Sequence, residues 1–349
     1  MKKEKNHISL QNATYLIFLL GVAIYLGSTL QSIVAPVVLS IILALVILPM
    51  VNLLEKIGFN RLFSGLTSVV VIALFLIGIG VVFALQLKDL GSSFGDIEKT
   101  FLSRLNSIID FLPGAIRPPD IDGVEDIKNM LPEDLGFLGS FAGDALKVTG
   151  GVLSTMALIP IFVFFILFYR GRISQFLNQL DGEGTSELRV VTTESKKMVQ
   201  GYLSGMGLVI LINATLTTTG LWAIGISYAL LLGVFSAFLS VIPYVGTFVG
   251  ALIPIAFAFL TKDSIFYGFA VMALYAIIQF VENNFISPVI LGNSVNVNPF
   301  ASILALLLMS QYWGLLGMVM AVPLVAILVI LIDHSAAIKP LNLLLKNEK

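Results

Sequence analysis

Of 349 residues, 57% are apolar and only 12% charged, and the mean hydropathy is +0.98; soluble domains carry about 25% charge, so this composition belongs in a membrane. Twenty Lys and Arg against 21 Asp and Glu leave a net charge of −1, which gives no basic field to hold nucleic acid. Cysteine is absent and the two histidines, His7 and His334, stand in the terminal tails, which excludes disulfides, thiolate chemistry and imidazole catalysis within the membrane.

About 20 apolar residues cross a hydrocarbon core of about 30 Å. Residues 15–30, 33–51 and 66–85 predict the first three crossings and, with the N-terminal tail, a first domain over 1–85. The first span reads as retained, since no small-residue cleavage site follows it. Lys2, Lys3 and Lys5 precede that span, and Lys56 and Arg61 follow the second, which assigns the N-terminus to the cytoplasm.

Residues 86–149 carry 11 acids against 6 bases and predict an external, periplasmic-side helical insertion. Phe94, Ile97, Phe101, Leu105 and Ile108 recur at helical spacing over 94–112, a stretch that ends in the prolines of 113–119. Short helices are expected at 124–130 and 137–146. The insertion is expected to cover the outer ends of the spans, a dedicated ligand-binding domain being the alternative.

A third domain, 150–200, joins a fourth crossing at 151–169 to a cytoplasmic helical hairpin over 173–199, with Arg170 and Arg172 on the inner side. Beyond it the chemistry changes. From 201 to 332 the chain runs 132 residues with three charges, Lys262, Asp263 and Glu282, so 201–334 is expected to be the transport core, followed by a cytoplasmic tail at 335–349.

Within that core 202–224 and 265–286 predict ordinary crossings. Residues 228–260 do not, because 33 residues at 1.5 Å each would make a helix of about 50 Å. This segment must tilt, kink or fold back. Its break is expected at Ile242-Pro243-Tyr244-Val245-Gly246, where proline removes a donor and glycine frees the backbone. Residues 301–332 repeat the pattern, interrupted at Tyr312-Trp313-Gly314, at Gly317 and at Pro323.

A helix broken within a bilayer is tolerated where its freed backbone groups face protein or a watery cavity, and such breaks mark solute sites in transporters. Gly246 and Gly250 also form a GxxxG packing face, so close helix approach is the competing reading. Gly201 and Gly205 repeat that motif, and there packing is the expectation. Glu282 is the one carboxylate flanked by long uncharged runs, with Gln279, Asn283 and Asn284 beside it. A charge at bilayer depth costs from about 2.5 to more than 10 kcal/mol, so it implies a partner, protonation or a cavity; hydration at an interface is the alternative. GxxxxGK[ST] and HExxH are both missing. Neither an enzyme, nor a cofactor, nor a metal centre is expected.

The series Val241-Ile-Pro-Tyr-Val-Gly246, Glu282-Asn-Asn, Pro288-Val-Ile-Leu-Gly292, Pro299 and Gly314-Leu-Leu-Gly-Met-Val-Met-Ala-Val-Pro323 resembles the autoinducer-2 exporter family of PerM-like permeases, in span order over essentially the whole chain. The resemblance implies about eight membrane segments, homo-oligomeric assembly as a pentamer, and secondary transport of small solutes. Family members are described as exporters of autoinducer-2 or as sodium(lithium)/proton antiporters. A second acid often precedes the proline of the P-x-x-x-G block; Ser287 stands there in this chain, leaving Glu282 alone.

The reading is thus an all-α polytopic inner-membrane protein, two of whose segments are long and broken or re-entrant. It is expected to export a small polar solute related to autoinducer-2, with lipid as its surroundings and both termini in the cytoplasm. A cation/proton antiporter and a non-transporting structural membrane protein are the rival readings. Pro243, Gly246, Gly250, Glu282, Asn283, Asn284, Pro288, Gly292, Gly314 and Pro323 are the expected solute or ion pathway.

Overall fold

A computed structural model of the chain describes residues 27–92, 136–180, 187–243, 245–292, 295–335 and 338–347, with Val22 and Tyr25. Most of the span at 15–30 and all of 94–130 lie outside these residues. Among the described residues the regular elements are helical: α1 (Gln31–Lys56), α2 (Arg61–Ser92), α3 (Gly136–Leu180), α4 (Glu187–Ile224), α5 (Ala229–Leu239), α6 (Val245–Thr261) and α7 (Ile265–Val281). A π turn (Glu282–Ile286) leads into the short α8 (Ser287–Ile290), and α9 (Pro299–Asp333) precedes a 3-10 turn (Lys339–Leu341) and α10 (Asn342–Leu345). Among the described residues five stretches are long and apolar enough to cross a membrane: Gln31–Lys56, Leu158–Leu180, Glu187–Ile224, Ile265–Ile290 and Pro299–Asp333. Arg61–Leu74, Ala229–Leu239 and Val245–Thr261 are shorter apolar helices. The protein is therefore an all-α polytopic membrane protein.

The backbone of α3 is one helix from Gly136 to Leu180. The short helix expected at 137–146 is its first three turns, because no proline interrupts the chain before Pro160. The two arms expected around 173–199 are the end of α3 and the start of α4, flanking residues outside the described set.

Two compact units divide the chain, one built from 1–74, 155–208 and 287–349, the other from 75–154 and 209–286. In the first, α1, the start of α2 and the second half of α3 enclose Ile47, Val51, Val69, Val163 and Leu167. Asn60 caps α2 by accepting from the Phe63 N–H at 2.9 Å. At the same end Arg170 on α3 pairs with Glu55 on α1.

The first unit also holds α9, which is not a single rod. Trp313 (φ −132°, ψ 17°) and Gly314 (φ 58°, ψ −137°) leave helical geometry, and only glycine adopts such a positive φ without strain. Beyond them the chain doubles back, and Val297 and Ala301 pack in one cluster with Val325, Ala326 and Val329. The break expected at Tyr312-Trp313-Gly314 is therefore a reversal. Asn298 caps the entering arm, its Oδ1 accepting from the Ala301 N–H at 2.7 Å, with Pro299 at the first helical position, where its missing N–H costs nothing. The tail closes the open end of this hairpin. The Asn298 N–H donates to the Leu345 carbonyl and its Nδ2 to that of Leu344, each at 2.8 Å. Lys346 pairs with Asp333, and Asn342 Nδ2 donates to Asp333 Oδ1 at 2.7 Å.

In the second unit, α4 beyond residue 208, α5, α6 and α7 surround Leu221, Ile226, Leu232, Ala258 and Val271. The long segment 228–260 breaks at the expected place and folds back, with α5 and α6 lying antiparallel. At 11 residues α5 is about 16 Å long, well short of a hydrocarbon core of about 30 Å.

Candidate functional site

The polar residues of the second unit sit where its helices touch. Thr217 on α4 donates from Oγ1 to its own helix at the Asn213 carbonyl (2.6 Å) and lies 3.0 Å from the Gly233 carbonyl on α5. One turn along α5, Ser236 Oγ is 2.6 Å from both the Gly250 carbonyl on α6 and the Tyr275 hydroxyl on α7. A serine hydroxyl has one proton; given to Gly250, it leaves Ser236 accepting from Tyr275. Glycine makes these approaches possible. A Cβ on Gly250 would stand 2.9 Å from the Ser236 carbonyl oxygen, and one on Gly246 would overlap the Leu239 carbonyl. Both glycines of the GxxxG motif thus face the α5 backbone, next to the turn that carries Pro243.

Glu282 opens the π turn at the end of α7. Six residues on, Pro288 has no N–H for the Asn284 carbonyl, and its ring crowds that carbonyl in an α-helix. Widening to π geometry just before the proline accommodates both effects, and single π turns recur at functional sites. Glu282 Oε2 accepts from Asn213 Nδ2 at 2.7 Å, and Asn213 is 4% exposed. The Asn213 Oδ1 is buried with no hydrogen-bond partner among the described residues. One charge-assisted bond contributes about 1.5–3 kcal/mol, at the low end of what a carboxylate costs at depth.

The other sequence candidates are not gathered at this contact. Asn283 accepts from Gln279 at 3.1 Å and Asn284 donates to the Phe280 carbonyl at 2.8 Å, both bonds staying within their own helical segment. Pro288, Gly292, Gly314 and Pro323 belong to the first unit. There Gly292 takes a φ of +49° after α8, Gly314 turns α9, and Pro323 is buried in the returning arm. Gly205, of the second GxxxG, lies against Ile290 and Leu291, a Cβ there standing 3.3 Å from the Ile290 carbonyl oxygen. Sequence reasoning missed Asn213, Ser236 and Tyr275. The signal for Asn213 was present: it is the lone amide between Leu203 and Ile224.

Two helical hairpins folded inside segments of membrane-span length, and a carboxylate held by a buried amide in a nearly uncharged half, place the chain among polytopic membrane transporters. The family model for AI-2E family transporters matches residues 13–337, and the chain belongs to this family. It is 28% identical over 338 residues to YrrI of Bacillus subtilis (strain 168), covering 87% of each chain. To PerM of Escherichia coli (strain K12) it is 25% identical over 307 residues, covering 85% of this chain and 86% of the relative. The AI-2 transport protein TqsA of Escherichia coli (strain K12) is 21% identical over 345 residues, 96% of each.

Proposed function

We propose that this transporter exports a small polar solute related to autoinducer-2 from an inner membrane, with both termini in the cytoplasm, as a homo-oligomer and specifically a pentamer. The observation that carries the reading is the Asn213–Glu282 contact at the π turn. It sets a hydrogen-bonding pair in the half of the chain that holds only three charges between 201 and 332, beside two helices joined by a turn at Pro243. The similarity to TqsA, an AI-2 transport protein, supports autoinducer-2 as the first solute to test. Pro243, Gly246, Gly250, Glu282, Asn283, Asn284, Pro288, Gly292, Gly314 and Pro323 are assigned to the pathway and its moving parts.

Glu282 favours a second reading, sodium(lithium)/proton exchange, since a lone carboxylate can trade a proton for a cation. Purified protein in liposomes is to be assayed for autoinducer-2 efflux and for sodium- or lithium-driven proton movement, each with wild type and Glu282→Gln. Autoinducer-2 movement that survives Glu282→Gln with unchanged pH dependence supports uncoupled export. Cation-driven proton movement abolished by the substitution supports the antiporter. Movement of neither solute by the wild type overturns both readings and leaves a structural membrane protein.

A further inference from the structure

At the end of the first unit where both arms of α9 emerge, a cleft of about 490 Å³ opens between α4, the loop before α9, the returning arm of α9 and the C-terminal tail. Its charged lining is two acids and two bases, Glu194, Lys197, Asp333 and Lys346, and its apolar wall includes Val297 and Ala326. We propose that this cleft is a binding site for a neutral, hydroxyl-bearing small molecule, loaded there before it enters the pathway; the inference rests on the exporter reading above.

The volume lies within the range of about 300–1,000 Å³ typical of small-molecule sites. Charge selects the class of ligand. Asp333 is engaged by Lys346 and by Asn342, and the two acids and two bases of the lining leave it with no net charge. An ion of either sign would meet a like charge somewhere in this mixed lining. A neutral molecule with several hydroxyls needs donors and acceptors spaced around a partly apolar surface, which is what charged ends above Val297 and Ala326 supply. The wall on the tail side is built rather than incidental. Asn298 holds the carbonyls of Leu344 and Leu345 at 2.8 Å, and Leu345 packs on the Val297 and Val325 cluster, which fixes Lys346 at the rim.

The chain has no native cysteine, so one introduced at the rim reports on the cleft alone. Asn296→Cys in the full-length protein in nanodiscs is labelled with a maleimide in the presence of autoinducer-2, and of glutamate and putrescine as charged controls. Lys197→Cys gives a second reporter on the opposite wall. The expected result is labelling slowed several-fold by autoinducer-2 and by neither control, with Lys346→Met weakening the protection. Unchanged labelling by autoinducer-2 at both positions overturns the cleft, even where the same preparation exports that solute and the exporter reading stands. Protection without export keeps the cleft as a binding site but sinks the exporter reading and, with it, the loading step. Protection that requires phosphatidylethanolamine and not the solute overturns the proposal in favour of a lipid headgroup.

Discussion

Met309 and Gly317 meet across the fold of α9, with the Met309 carbonyl oxygen occupying the space where a side chain at 317 would begin. Eight residues apart in sequence, they would lie about 12 Å apart along a straight helix. Their contact makes the hairpin a packed structure rather than a bent rod. Gly317→Ala must push a methyl group into backbone, and such overpacking costs about 1–3 kcal/mol. Thermal unfolding of purified protein is expected to show a lower midpoint for Gly317→Ala. Gly207→Ala, on α4 with nothing within 4 Å, is expected to leave the midpoint unchanged or raise it.

Gly314 tests the same hairpin by another physical route. Nothing lies within 4 Å of a Cβ placed there, but its φ is +58°. Gly314→Ala therefore costs backbone strain of about 1–3 kcal/mol without a collision. Cysteine pairs placed across the two arms, at 301 and 325, should crosslink less efficiently in the Gly314→Ala protein than in the parent; equal efficiency would remove the strained reversal from the account.

Asn213→Leu leaves Glu282 without its 2.7 Å donor. An unpaired buried acceptor costs about 1–3 kcal/mol, more when charged, so both stability and transport rate should fall. Combining it with Glu282→Gln should recover part of the stability, because the lost partner is then a neutral amide. Additive losses in the double-mutant cycle would mean that the two side chains do not act together.

Ser236 serves two neighbouring helices with one hydroxyl, reaching the Gly250 carbonyl and the Tyr275 hydroxyl at 2.6 Å. Ser236→Ala and Tyr275→Phe are each expected to lower stability, by about 1 kcal/mol per hydrogen bond. Their double variant should cost less than the sum, since the Tyr275 bond is already lost in the first. Denaturation of the four proteins in one detergent measures the coupling.

Composition and charge placement were enough to read the helical membrane class, because lipid demands long apolar runs whatever they pack against. Both breaks were legible for a local reason: Pro243 and Gly314 act on their own backbone. That the breaks are reversals was not legible, since Gly246 and Gly317 reveal their role only against the carbonyls of Leu239 and Met309. Asn213 and Glu282 stand 69 positions apart, and no periodicity links them. The π turn escaped notice because Pro288 announces a disturbance without saying whether the helix ends or widens.

The reversal of α9 also fixes which membrane face a fusion at the C-terminus would report. Both arms return to one end, where Asn298 and Lys346 meet the start of α4 near Glu194. A fluorescent or enzymatic reporter attached after the tail must then lie on the same face as the loop at 295–298, whichever face that is. One fusion and one protease-protection assay would orient α4, the loop and the tail together.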